Sequence, residues 1–154
     1  MGPDRQSVAA QVAEMRRIGS DIQLVEVKES VGKLPASRGE TISAFSNGSG
    51  GLAILGLSEK NGFRFAEGFD ARKAADAFAE ICSNKMEPPV RPETDIIQFE
   101  GHDIFVAAIE GLDPLDKPCY IRERGMYKGS FIRVSDGDHR LSPYEIDRLL
   151  ENKE

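Results

Sequence analysis

Thr41-Ile42-Ser43-Ala44-Phe45-Ser46-Asn47-Gly48-Ser49-Gly50-Gly51-Leu52-Ala53-Ile54-Leu55-Gly56-Leu57 carries the clearest signal of fold class in the chain. Its first part buries Ile42, Ala44 and Phe45 in a short helix. Ser37-Arg38-Gly39-Glu40 just upstream has the capping-box spacing, in which Ser37 and Glu40 satisfy each other's free amides. Residues 47–51 are expected to be irregular, because three glycines in so short a span disfavour helix and strand alike. Residues 52–57 form a mostly apolar run of strand length, the pattern of a central strand covered on both faces. Helix, glycine link and buried strand in immediate succession point to a layered mixture of both element types.

The flanking sequence repeats that mixture. Val8, Val12, Met15 and Ile18 recur at helical period over residues 4–18, with Gly19 as a stop. Residues 21–28 read as a strand with Val25 and Val27 on one face and Leu24, Glu26 and Lys28 on the other. Residues 31–35 read as a loop. Lys60-Asn61-Gly62 is a turn, followed by a short strand in which Phe63 and Phe65 alternate with Arg64. Residues 71–85 are helical, with Ala74, Ala77, Phe78 and Ile81 in register, and Met86-Glu87-Pro88-Pro89 ends them. Strands at 96–99 and 104–109 are expected to pair across Glu100-Gly101-His102-Asp103. Strands at 119–122 and 130–134 follow, and Ser142-Pro143-Tyr144-Glu145 opens a last helix. The expected architecture is a single α+β domain over residues 1–154: a central β-sheet with flanking helices, an N-terminal helix at 4–18 and a core at about 20–145.

Composition narrows the function classes. Of 154 residues, 40% are apolar and 30% charged, enough for a core and too polar for a membrane span or a fibre. Nothing at the N-terminus reads as a signal peptide. Cys82 and Cys119 stand in no metal or redox spacing, so a reduced, cytoplasmic protein is expected. The net charge is −6. Six basic residues (Lys117, Arg122, Arg124, Lys128, Arg133, Arg140) and three acidic ones (Glu123, Asp136, Asp138) make residues 117–140 a +3 segment on a −9 remainder. Such a segment suits an anion-binding face or a solvated strand.

Familiar catalytic patterns are missing. Gly32-Lys33 lacks the rest of a P-loop, Gly48-Ser49-Gly50-Gly51 follows a helix where a dinucleotide fingerprint follows a strand, and no nucleophile elbow is present. The loop Asn47, Gly48, Ser49, Gly50, Gly51 can cradle a phosphate with its amides, or simply connect helix to strand tightly. Asp136-Gly137-Asp138-His139 reads as a polar turn before the last helix rather than a metal loop. Asp21, Glu26 and Lys28 fit a surface salt bridge; they also fit carboxylates holding Mg²⁺ or Mn²⁺ beside a lysine that neutralises developing charge.

Several blocks together resemble a known family. They are Asp21 with Val25-Glu26-Val27-Lys28-Glu29-Ser30, the run 41–57 quoted above, Lys117-Pro118-Cys119-Tyr120-Ile121, and Tyr127-Lys128-Gly129-Ser130-Phe131-Ile132-Arg133-Val134. Over about residues 14–145 the chain resembles the Schlafen Alba-like domain, also known as a DNA-binding domain of bacterial transcriptional regulators and once grouped as a divergent AAA domain. The resemblance implies a mixed α+β domain of the kind that precedes winged-helix modules in bacterial proteins labelled regulators or ATP-binding proteins. In vertebrate Schlafens the equivalent region carries a three-carboxylate ribonuclease site. Two of those positions fall on Asp21 and Glu26. The third belongs just after Gly56-Leu57, where this chain has Ser58-Glu59, and aspartate replaces glutamate at the first.

The leading expectation is therefore a bacterial nucleic-acid-binding module, for DNA or RNA, that needs no cofactor. Arg122, Arg124, Lys128 and Arg133 would contact phosphates, and Tyr127 or Tyr120 would stack on a base. The alternative is a metal-dependent ribonuclease using Asp21, Glu26 and Glu59 as catalytic carboxylates, with Lys28 as electrostatic helper and Asp21 and Glu26 on Mg²⁺ or Mn²⁺. A third reading is an ATP or other nucleotide bound at residues 47–51 without a P-loop. A fourth is a structural or assembly domain whose first helix packs on a partner; a homo-oligomer is a separate expectation.

Overall fold

The computed structural model describes residues 4–18, 25–29, 37–135, 137–151 and 153. In chain order the elements are α1 (Arg5–Ile18), β1 (Val25–Lys28), α2 (Ser37–Asn47), β2 (Gly50–Leu55), β3 (Leu57–Ser58), β4 (Arg64–Phe65), α3 (Ala71–Glu80), β5 (Met86–Glu87), β6 (Glu93–Phe99), β7 (His102–Glu110), β8 (Tyr120–Ile121), α4 (Met126–Gly129), β9 (Phe131–Val134), β10 (Gly137–Arg140) and α5 (Pro143–Glu151). The architecture is α+β, as expected, with one mixed four-stranded sheet and three small two-stranded ones among the described residues.

The main sheet has the order β1-β2-β7-β6. β1 runs parallel to β2, with Val25 opposite Leu52, and the other pairings are antiparallel. A parallel neighbour needs a crossover, and α2 lies on it. β2 is central, so its side chains alternate between two cores. Ala53 and Leu55, with Phe105, Ala107 and Ile109 of β7, join Ile42, Phe45, Ala74 and Phe78 from α2 and α3. Ile54, with Ile104 and Val106, joins Val8, Val12 and Met15 of α1 and Val25 and Val27 of β1. The apolar run is continuous because both faces are covered.

A second layer of structure hangs on α2. Buried Ser43 donates its hydroxyl to the Cys119 carbonyl at 2.7 Å and accepts the Phe131 amide at 2.9 Å. One turn on, Asn47 donates to the Cys119 and Phe131 carbonyls, both at 2.9 Å, and accepts the Cys119 amide at 2.6 Å. These side chains satisfy buried backbone groups of Cys119, just before β8, and of Phe131, the first residue of β9.

The structure corrects several boundaries. The glycine link is only Gly48 and Ser49, because Gly50 and Gly51 already belong to β2. Gly50 has φ +91°, and a Cβ there would lie 2.5 Å from the Ile109 carbonyl; a Cβ on Gly51 would enter the Phe45 ring. These glycines permit close packing rather than disorder the chain. Gly56, at φ +115°, breaks the expected 52–57 strand in two. The hairpin turn is Glu100-Gly101, both at positive φ, so His102 and Asp103 lie in β7. Residues 137–140 form a strand paired with β9, where a polar turn was expected, since Asp138 and His139 oppose Arg133 and Ile132. The helix from residue 71 is α-helical to Glu80 and then π-helical over Ile81–Lys85. Ile18, at the last position of α1, is half exposed. The Gly19 stop, the strand start at 21–24 and the 31–35 loop lie outside the described residues, as does the Ser37 side chain of the expected capping box. Glu40, the other member of that box, pairs with Arg124 at 2.9 Å.

Arg16 of α1 locks its helix onto the sheet. It donates to the Gly62 and Phe63 carbonyls at 3.0 and 3.1 Å and to both Glu100 oxygens at 2.8 and 2.7 Å. That hydrogen-bonded contact, against a smaller opposing effect of desolvation, holds the Glu100 carboxyl below its ordinary value. A carboxyl depressed in the folded state stabilises it at neutral pH and loses that contribution as pH falls below the unfolded value, about 4.3. Wild-type stability should therefore fall between about pH 5 and pH 3 more steeply than that of Glu100→Gln in parallel urea titrations. Asn47→Ala should lower stability by at least about 2 kcal/mol, since it strands buried backbone groups, and the midpoint of thermal unfolding by about 4 °C or more.

Candidate functional site

Two surfaces gather the residues marked by the sequence. The first is the edge built from the turn Arg122–Arg124, α4 and the β9–β10 hairpin. The bends that produce it rest on glycine: Gly125 takes φ +82°, and a Cβ on Gly129 would lie 2.7 Å from the Ile121 carbonyl. Arg122 is exposed and pairs with exposed Glu87 at 3.1 Å. Lys128 projects from α4 and is exposed. Arg124 is one-third exposed, paired with Glu40, and its guanidinium lies 5.8 Å from the centre of the Phe131 ring. Arg140, opposite Phe131 across the hairpin, adds an exposed cation beside them.

Arg133 does not join that edge. Its side chain is 4% exposed, pairs with Asp138 at 3.2 Å and lies 5.4 Å from the centre of the Phe45 ring. Its other nitrogen donates to the Val25 carbonyl at 3.0 Å. Thr41 donates to the second Asp138 oxygen at 2.8 Å. This buried relay ties β9 and α2 to the first residue of β1. The sequence could not distinguish it from Arg122 because strand alternation alone leaves open which face is covered.

Tyr127 is 46% exposed, and its hydroxyl donates to Asp147 on α5. The Asp147 hydrogen bond raises the phenol's pKa, since a donating phenol resists deprotonation beside a carboxylate. Tyr120 is half-buried in β8. Sequence reading passed over Tyr144, which is 70% exposed on α5 with the Arg148 guanidinium 6.0 Å from its ring centre. The available signal was the i,i+4 spacing of Tyr144 and Arg148 on a helix with one buried stripe.

The second surface is a cleft of about 390 Å³ lined by Val27, Lys28, Glu29, Ser58, Glu59 and Lys60. Pairing of β1 with β2, and the sharp bend at Gly56 into β3, bring Lys28 and Glu59 to this one cleft. Asp21 and the Glu26 side chain lie outside the described residues; the Glu26 backbone lies opposite Ala53. Among the described residues no three His, Cys, Asp or Glu side chains converge as metal ligands. Glu29 and Glu59 beside two ammonium groups fit a divalent cation only if further carboxylates complete them.

The loop at 47–51 is filled by its own packing. Asn47 is committed to the Cys119 and Phe131 backbones, and a Cβ on Gly111 would lie 2.4 Å from the Gly48 carbonyl. Lys117 approaches that same carbonyl at 3.4 Å. Both cysteines are buried, and desolvation pushes each thiol up to about 12, so neither is a nucleophile at neutral pH. No described helix is long and apolar enough to cross a membrane.

A family model described as Schlafen, AlbA_2 matches residues 21–142. This chain belongs to the Schlafen AlbA_2 family. The match contains both surfaces and every strand of the sheet. Among solved structures, the N-terminal domain of a RecG-related protein from Nitrosomonas europaea is similar, with 25% identity, a TM-score of 0.63, and coverage of 86% of this chain and 91% of that one. The DIP2311 protein from Corynebacterium diphtheriae shares the fold at 16% identity and a TM-score of 0.57; the match covers 89% of this chain and 27% of that one. No curated protein matches. The Nitrosomonas europaea neighbour bears the name of an ATP-dependent DNA helicase RecG-related protein.

The contrast between the two arginines is measurable. Arg133→Ala should lower stability by about 3 kcal/mol or more in urea denaturation, because it leaves Asp138 without its counter-charge and the Val25 carbonyl without its buried donor. Arg122→Ala should stay within about 0.5 kcal/mol of wild type.

Proposed function

We propose that this AlbA_2 domain binds nucleic acid through the edge formed by Arg122, Lys128, Tyr127 and Arg140. The observation that carries this reading is that the cations here are exposed and weakly engaged, whereas Arg133 from the same segment is turned inward. An exposed pair such as Arg122–Glu87 contributes a kcal/mol or less, so a phosphate can replace the carboxylate with little loss. Arg124, braced by Glu40 and Phe131, presents its guanidinium from a fixed position. The RecG-related neighbour supports the same chemistry. A body of net charge −6 limits the electrostatic attraction to this edge, so binding should weaken steeply with salt. The bacterial regulator role expected from sequence belongs to this reading too.

A second reading is favoured by one observation, the meeting of Lys28 and Glu59 in the cleft between β1 and β3. With Asp21 and Glu26 completing the carboxylates, Mg²⁺ or Mn²⁺ held there would polarise a phosphodiester, and Lys28 would neutralise charge developing on it. A nucleotide at residues 47–51 is the least supported reading, because close contacts already occupy that loop.

Fluorescence anisotropy with labelled single- and double-stranded DNA and RNA over a salt series, with Mg²⁺ present, tests these readings. Saturable binding is expected, with Arg122→Ala plus Lys128→Ala weakening all probes and reducing the log–log salt slope by about 1–2. Absence of binding at low salt would sink the proposal. Probes cut only when Mg²⁺ is present, and left intact by Glu26→Gln, would establish the nuclease.

A further inference from the structure

We infer that Tyr127 of α4 and Tyr144 of α5 form a two-ring stacking platform that makes this domain a binder of single-stranded nucleic acid. The inference deepens the nucleic-acid reading above and rests on it. Two of the chain's three tyrosines lie here, and they are the most exposed Phe or Tyr rings among the described residues, at 46% and 70%. The Tyr127 hydroxyl reaches Asp147, which follows Tyr144 by three residues, so both belong to one face of α5. Tyr127 therefore meets α5 about one helical turn, roughly 5 Å, from Tyr144.

The platform is built on fixed supports. The Leu141 amide donates to the Ser130 carbonyl at 2.9 Å, which ties the approach to α5 to the end of α4. Ser142 and Glu145 cap α5 reciprocally at 3.1 and 2.8 Å, and Ile146 is fully buried. Arg148 lies over the Tyr144 ring and pairs with exposed Glu151 at 3.3 Å, so its guanidinium can exchange that carboxylate for a phosphate.

Chemistry selects the partner. Exposed aromatic rings interleaved with cations suit unstacked bases, whose faces every ring can meet; a duplex hides those faces inside its own stack. The acidic groups of α5 are already engaged: Glu145 in the cap, Asp147 with Tyr127, and Glu151 with Arg148. With Glu145, Asp147 and Glu151 against Arg148, α5 still carries a net −2, so contact here depends on stacking rather than on charge.

The test uses the whole chain with a fluorescein-labelled oligothymidylate of about 12 nucleotides, a length within the site sizes of such platforms, and a mixed-sequence duplex of similar length. Tyr144→Ala and Tyr127→Ala should each weaken single-strand binding by about five- to 150-fold and duplex binding by less than about twofold. Tyr144→Phe and Tyr127→Phe should retain single-strand affinity, because the ring is kept. The chain contains no Trp, so intrinsic emission comes from tyrosine and should be quenched by the oligonucleotide, and much less so in the double Phe variant. Circular dichroism melts of Tyr144→Ala should match wild type, since Tyr144 is mostly solvated. Tyr127→Ala should stay folded with a slightly lower midpoint, since it loses the Asp147 hydrogen bond. If the strand binds and Arg122→Ala plus Lys128→Ala weakens it while both Tyr→Ala variants bind as wild type, the platform is overturned and the nucleic-acid reading stands. If no probe binds, both fall. If the Tyr→Ala variants bind normally and instead convert a dimer to a monomer in sedimentation, the rings serve a protein contact and the inference is likewise overturned.

Discussion

Ser43 and Asn47 hold this domain together at the place where its regular hydrogen bonding gives out. The four-stranded sheet bonds its strands to one another, and Arg133 closes the Val25 carbonyl at its β1 edge. The segments that follow β7 lean on α2 instead: Cys119 precedes the two-residue β8, and the amide and carbonyl of Phe131, in register with Arg140, meet α2 side chains. Each buried amide or carbonyl left open there would lose about 1–3 kcal/mol. Two side chains, one turn apart on α2, close them with five hydrogen bonds. Everything on the basic edge, from the Arg122 turn through α4 to the β9–β10 hairpin, lies downstream of that splice.

α2 therefore has opposite duties on its two sides. Ile42 and Phe45 enter the core beneath the sheet, while Ser43 and Asn47 serve the strands that carry the candidate interface. Thr41 adds a third link through Asp138, and Arg133 extends it to the Val25 carbonyl in β1. The two candidate surfaces are thus coupled by one buried polar relay: the cleft that includes Lys28 and Glu59 starts from the strand that Arg133 steadies. α1 is fixed from elsewhere, by its own apolar stripe and by Arg16 across the Glu100 turn. The helix precedes the family match, yet one face of the sheet relies on it for cover.

Periodicity made the layers legible in the sequence. The helical spacing of Val8, Val12 and Met15, and the continuous run of β2, specify which residues avoid water, and avoiding water is a local property of each side chain. Glycine was harder to interpret. The cluster at 48–51 suggested a phosphate cradle or an irregular loop, because composition records only that a Cβ is missing. The structure supplies the reason: the Phe45 ring and the Ile109 and Gly48 carbonyls occupy the space that side chains at Gly51, Gly50 and Gly111 would need. The same limitation applied to Asn47, whose partners lie 72 and 84 residues away.

By itself the sequence determined the α+β class, the two buried faces of the central strand, the position of the basic segment and the family resemblance, since each follows from local pattern. Tertiary structure decided which cations reach solvent. Arg122 and Arg133 belong to one segment of like charge, but Arg133 falls where β9 crosses α2 and β1, and Asp138 compensates it there. Tertiary structure also brought the Tyr127 hydroxyl of α4 to Asp147 of α5, a contact between residues 20 positions apart in the chain. Sequence spacing specifies a helix face; only packing specifies what that face meets.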